Sequence, residues 1–138
     1  MRPPAPRPCV SCPYRLDVPS GVWAYEEYRK LATYDRETAE QDPGVFLCHQ
    51  QDGKLCAGWV AVHDMEHSLG LRLAVSMGVI SPEDAETIID YTTDVPLHES
   101  GLAAALHGAR AIPDPDPAAR RMIARLERRL RWQERRLR

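Results

Sequence analysis

Two stretches decide how this chain can fold: PCVSCPYRLDVPSGVW at residues 8–23 and VFLCHQQDGKLCAGW at residues 45–59. Between them they hold all four cysteines of a 138-residue chain, Cys9, Cys12, Cys48 and Cys56, spaced as C-x2-C, a long gap and C-x7-C. Four thiolates suffice to hold one zinc ion or one iron–sulfur cluster. The N-terminal part is therefore expected to fold around an inorganic centre.

The two hooks differ. Cys9 to Cys12 is a tight knuckle stiffened by Pro8 and Pro13, which places two sulfurs on one turn. Cys48 and Cys56 are far apart in sequence, so a loop must fold them together, and Asp52-Gly53 supplies a tight reversal there. Zinc knuckles mostly use two short hooks. One short hook plus an open pair suits a [4Fe–4S] cluster better, and zinc is the alternative. Trp23 and Trp59, with Tyr14 and Phe46, flank the ligands and are expected to shield the centre. His49, next to Cys48, is a candidate to hydrogen-bond a sulfur or to replace one cysteine on zinc.

Working outward, the element pattern is mainly α, with one small domain. Ser20 reads as the N-cap of a helix from about Gly21 to Thr33, with Trp23, Tyr28 and Leu31 inward. Val45-Phe46-Leu47 reads as a brief strand that delivers Cys48. Leu55 to Met77 is mostly helical with a break near Ser68 or Gly70, and Trp59, Val62, Leu69, Leu73 and Met77 are its expected core face. Gly78 is a C-terminal cap. Ser81-Pro82-Glu83-Asp84 starts a helix reaching about Thr92. Ser100 opens a helix over Gly101 to Arg110, packing through Leu102 and Leu106. Pro113, Pro115 and Pro117 form a stiff linker, so the chain divides into a cysteine-centred domain over 1–112 and a linker with an Arg-rich helix over 113–138.

Charge separates the same two parts. The net charge of −2 hides residues 120–138, which carry nine Arg and two Glu, or +7, against −9 for the rest. Arg120, Arg121, Arg125, Arg128, Arg129, Arg135 and Arg136 are the expected contacts to nucleic acid or to an acidic partner such as transcription machinery. Ile123, Leu126, Leu130 and Leu137 form a short heptad-like seam that could dock on the body, on a partner or on a second copy in a homodimer. Hydrophobic residues make up 43% of the chain, yet no apolar run of about 18 residues exists, so no membrane span is expected. The N-terminus MRPPAPRPC lacks the apolar core of a secretory signal, which points to the cytoplasm.

One further pattern is His63-Asp64-Met65-Glu66-His67, an H-x-x-E-H arrangement. On a continuous helix its histidines would share a face one turn apart and could grip zinc, opening a metal-dependent or redox enzyme as an alternative function. No Gly-rich cofactor loop and no clear Ser/His/Asp set supports it.

Through CVSCPYRLDVPSGVW, EEYRKL, FLCHQ and LCAGW, over residues 7–78, the chain resembles small four-cysteine proteins of actinobacteria and their phages, a family of unknown function. That resemblance implies that Cys9, Cys12, Cys48 and Cys56 are ligands. Through Cys9-Val10-Ser11-Cys12-Pro13, Gly21-Val22-Trp23 and the basic C-terminal part it is similar, more weakly, to the WhiB-like iron–sulfur transcription regulators. It departs from them in carrying its C-x-x-C first and its Gly-Val-Trp before the last two cysteines. The expected function is a metal- or iron–sulfur-binding regulatory or interaction protein; a structural zinc protein without a nucleic-acid role is the alternative.

Overall fold

The computed structural model describes residues 1–138. Six helices carry it: α1 Tyr25–Thr33, α2 Ala57–Val62, α3 Leu69–Ser76, α4 Pro82–Ile89, α5 Gly101–Arg110 and α6 Pro117–Leu137. Strand content is limited to three isolated bridges, Arg2 with Lys54, Arg15 with Leu97 and Leu47 with Leu55. The class is mainly α, in one small domain, as the sequence indicates. No helix is long and apolar enough to cross a membrane.

The later helices begin where their caps stand. Ser81, Ser100 and Asp116 accept from the amides of Asp84, Ala103 and Ala119, at 3.1, 3.0 and 2.8 Å. Each satisfies an otherwise orphaned donor in the first turn. Gly78 ends α3 with φ of 74°, the left-handed conformation a helix cap needs.

Elsewhere the elements depart from the sequence expectation, for physical reasons. The first helix starts at Tyr25, because Gly21 turns the chain at φ of 86°. Ser20 caps nothing in α1; its hydroxyl donates to the Gly108 carbonyl and accepts from the Ala111 amide. The segment after Cys56 also breaks earlier than expected. It leaves the helix at His63, makes a short 3-10 turn over Met65–His67, and restarts behind Ser68, a buried residue that caps α3. The inward face of α3 is Gly70, Leu71 and Ala74, whereas Leu73 and Met77 are exposed.

The closest helix pair is α1 against α5. Leu102 and Leu106 point outward, and α5 packs instead through Gly101, Ala104 and Gly108. A Cβ on Gly101 would sit 1.9 Å from the Leu31 carbonyl oxygen, and one on Gly108 2.0 Å from the Tyr28 ring. The helices touch through backbone and ring, so small residues form the interface where the sequence pattern suggests a leucine stripe. The core that results joins Tyr28, Leu31 and Ala104 to Tyr14, Phe46, Trp59 and the sulfurs of Cys12 and Cys56. A smaller cluster of Val18, Val22 and Ala119, flanked by Met122, Ile123 and Leu126, seats the first half of α6.

Candidate metal centre and the helix beside it

Backbone pairing delivers the two hooks to one place. The Cys12 amide donates to the Cys9 carbonyl at 3.0 Å, and that of Arg15 to Cys12 at 3.0 Å, making the knuckle two consecutive tight turns. The second hook closes as a miniature hairpin. Its Cys48 amide donates to the Lys54 carbonyl at 2.9 Å and its Cys56 amide to Phe46 at 2.9 Å, around Gly53 at φ of 74°. The expected brief strand is thus one bridge. Arg2 pairs alongside, with its amide on the Gly53 carbonyl and its own carbonyl taking the Leu55 amide. The N-terminal segment is thereby laid against the second hook, which carries the knuckle to it.

All four predicted ligands come together. Cys12 Sγ lies 3.7 Å from Cys56 Sγ, both buried. The Cys9 thiol neighbours those of Cys12 and Cys48, close enough for both to shift its proton affinity. The sulfurs form a continuous row, Cys48–Cys9–Cys12–Cys56, and all four are free thiols. No three of them close within 4.8 Å of one another. Thiolates on one tetrahedral zinc at about 2.3 Å would all stand about 3.8 Å apart. One edge of the row has that length, and the row as a whole is more open.

As free thiols, Cys9, Cys12 and Cys48 hold their protons tightly. Hydrogen bonding with Cys12, then burial, raises Cys9; bonding with Cys56, then burial, holds Cys12 well above its ordinary value; bonding with Cys9, then burial, does the same for Cys48. Clustered buried sulfurs cannot share several negative charges without a cation, and a bound metal would supply that charge and take the protons' place.

The surroundings are shaped for sulfur. Cys56 is the N-cap of α2, so the helix's free first-turn amides and positive end lie beside it. A Cβ on Gly58 would stand 2.5 Å from Cys12 Sγ and 2.7 Å from Tyr14 Cβ. Gly58 is thus what lets α2 approach the knuckle. Its sequence signal was a glycine inside a short apolar helix, normally a cost of about 1 kcal/mol, two residues after a cysteine.

Trp23 covers the gap between the hooks. Its indole N–H donates to the Ser11 carbonyl at 2.8 Å, and its ring packs on His49 at 4.4 Å between centroids. Trp59 lies fully buried in the core that contains Cys12 and Cys56, and its indole N–H has no partner. His49 does not bond a sulfur: its Nε2 pairs with Glu27 at 2.9 Å.

The H-x-x-E-H residues are not one site. His63 ends α2 and turns inward, 2.8 Å from the Tyr14 hydroxyl and 3.5 Å from Asp35. Burial lowers its pKa to about 4. Asp35 in turn accepts from the amides of Gly101 and Leu102, so this histidine is a buried joint between knuckle, α2 and α5. His67 faces solvent and pairs with Asp64 at 2.7 Å. Glu66 and His67 gather with Asp64 at the surface, without His63. The break at His63 removes the shared helical face that a zinc grip requires.

The arginines of α6 divide into two sets. At about 100° per residue, Arg121, Arg128 and Arg135 fall roughly opposite buried Ala119 and recur about 10.5 Å apart along the axis. They form an outward ridge. Arg125, Arg129 and Arg136 instead line cavities between α6 and the cysteine loops. Arg120 bonds the Pro115 carbonyl and Asp114 at the helix start. Of the apolar seam, Ile123 and Leu126 dock on this chain's own body, whereas Leu130 and Leu137 are exposed.

Residues 4–128 match the model of a family described as a family of unknown function, DUF6283. The chain belongs to that family. The DUF6283 match takes in both cysteine hooks, the helical body and the docked part of α6. No curated protein matches the chain. No solved structure matches it either.

Proposed function

We propose that this protein is a metal-centred regulatory or interaction module. In this account Cys9, Cys12, Cys48 and Cys56 hold a [4Fe–4S] cluster, and the outward arginine ridge of α6 contacts nucleic acid or an acidic face of transcription machinery. The observation that carries it is the convergence of four free thiols from two separated hooks into one half-buried row. The openness of that row supports a cluster, in which each thiolate binds its own iron, over a single zinc. Such a centre would staple residues far apart in sequence and could add redox or oxygen sensitivity. Arg121, Arg128 and Arg135 are suited to backbone phosphates, because guanidinium groups bind phosphate in a bidentate fork.

The 3.7 Å separation of Cys12 and Cys56 favours a second reading, in which one zinc ion is a purely structural staple. Metal and sulfide analysis separates the two centres.

The partner is tested by fluorescence anisotropy with a mixed-sequence duplex at several salt concentrations. The account expects binding that weakens steeply with salt. The Arg121→Gln/Arg128→Gln/Arg135→Gln variant should show a shallower salt slope, by about 0.9 for each phosphate it no longer neutralises. Binding that is absent, or unchanged in that variant, counts against the nucleic-acid role.

A further inference from the structure

The residue that connects the cysteine hooks to α6 is Gln50, inside the Cys48–Cys56 loop. Its side-chain amide donates to the Ser11 hydroxyl, between Cys9 and Cys12. Its side-chain oxygen accepts from Arg129 Nη1 at 3.1 Å, and its backbone carbonyl from Arg129 Nη2 at 2.9 Å. One glutamine therefore ties the first hook, the second hook and the C-terminal helix.

On either side of this clasp lie two gaps under α6. A cavity of about 260 Å³ separates the knuckle from Arg125 and Arg129. A groove of about 450 Å³ separates Cys48 and its loop from Trp132 and Arg136, where the Arg136 guanidinium stacks over the Trp132 ring at 4.8 Å. Three guanidiniums thus face the cysteine loops, and Asp52 is the single carboxylate among the residues lining these gaps. Beyond Leu126 every residue of α6 is exposed, so little apolar burial holds its second half. What holds it is the Arg129 clasp on Gln50.

The clasp depends on the two hooks that Gln50 joins. We propose that the second half of α6 is a strap whose hold on the body is set by whether the cysteine centre keeps the two hooks in register, with Gln50 and Arg129 as its clasp. The inference rests on the metal-centre reading. A filled centre fixes the Cys9–Cys12 knuckle against the Cys48–Cys56 loop, so that Gln50 spans Ser11 and Arg129. An emptied centre loses that register, so the strap lifts and its arginines become available to an anionic partner.

Amide hydrogen exchange on the full chain, purified anaerobically, tests this, with metal content measured on the same samples. Residues 128–137 should exchange about tenfold faster in metal-stripped than in loaded protein, the size expected for losing a charge-assisted clasp. Arg129→Ala and Gln50→Ala should show the same fast exchange while keeping their metal, which decides the matter even where stripping unfolds the hooks. Metal bound, but exchange of 128–137 unmoved by Arg129→Ala, overturns the strap and leaves the centre standing. A protein that retains no metal overturns the metal-centre reading and, with it, the strap.

Discussion

The cysteine-bearing shell and the helical body share one core but hold their backbones by different means. The shell, residues 1–23 and 44–56, has no helix; backbone bonds, a hairpin bridge, side chains such as Tyr14 and Leu55 sunk into the common core, and a row of sulfurs fix it. The body packs α1 on α5 with no side chain at Gly101 or Gly108 to separate them. The body owes its order to burial and close backbone approach, which the polypeptide supplies by itself. The shell lends Tyr14, Phe46 and Leu55 to the common core, and its sulfurs sit where a metal would add cohesion between the hooks. One chain thus contains a part that should fold unaided and a part that should depend on its centre.

The sharpest way to break that comparison is to remove one sulfur. Cys12→Ser should lose the centre and more than about 3 kcal/mol of stability, since metal binding and folding are coupled. Elemental analysis and thermal melting check it. In the body, Gly101→Ala should cost about 3 kcal/mol, because its Cβ would meet the Leu31 carbonyl at 1.9 Å. That variant should keep its metal, and a parallel loss of metal would show that shell and body are not separable.

His63 joins the two parts and should make their union pH-dependent. Its ordinary pKa of 6.5 falls to about 4 on burial, so between these values the unfolded chain takes up a proton that the folded chain refuses. Stability from this group is present above pH 6.5 and is lost as pH falls toward 4, by up to about 3 kcal/mol. Denaturant melts of wild type and His63→Gln across that range check it. The wild-type curve should fall more steeply, while acid loss of metal appears in both.

Smaller effects sharpen the boundary. Gly58→Ala forces α2 away from Cys12 and should cost about 2 kcal/mol, with weaker metal retention as its distinguishing mark. Ser81→Ala, at the start of α4 and remote from the sulfurs, should cost about 1 kcal/mol and leave metal content untouched.

The same division governs what the sequence could tell. Local chemistry was legible: Ser81-Pro82, Ser100 and Gly78 mark helix ends because caps act within one turn, and Asp52-Gly53 marks the reversal that closes the second hook. The four sulfurs were legible as a set because few other uses suit that spacing. Whatever depends on distant neighbours was hidden. Ser20 looked like a cap until Gly108 and Ala111 claimed its hydroxyl. Leu102 and Leu106 looked like a core stripe, yet the ring of Tyr28 and the backbone of Leu31 leave room only for glycine. The H-x-x-E-H pattern presupposed a helix that ends at its first histidine. The arginines of α6 read as one basic face, and only the position of the cysteine loops divides them into a ridge and a clasp.

The most direct test of the central claim is the composition of the purified protein itself. Anaerobic purification, followed by metal and acid-labile sulfide analysis and an absorption spectrum, should give iron, sulfide and a broad band near about 400 nm. Zinc at one ion per chain would keep the four-cysteine centre and replace the cluster with a structural staple. Protein that binds neither metal, and whose melting is indifferent to chelator, would contradict the account.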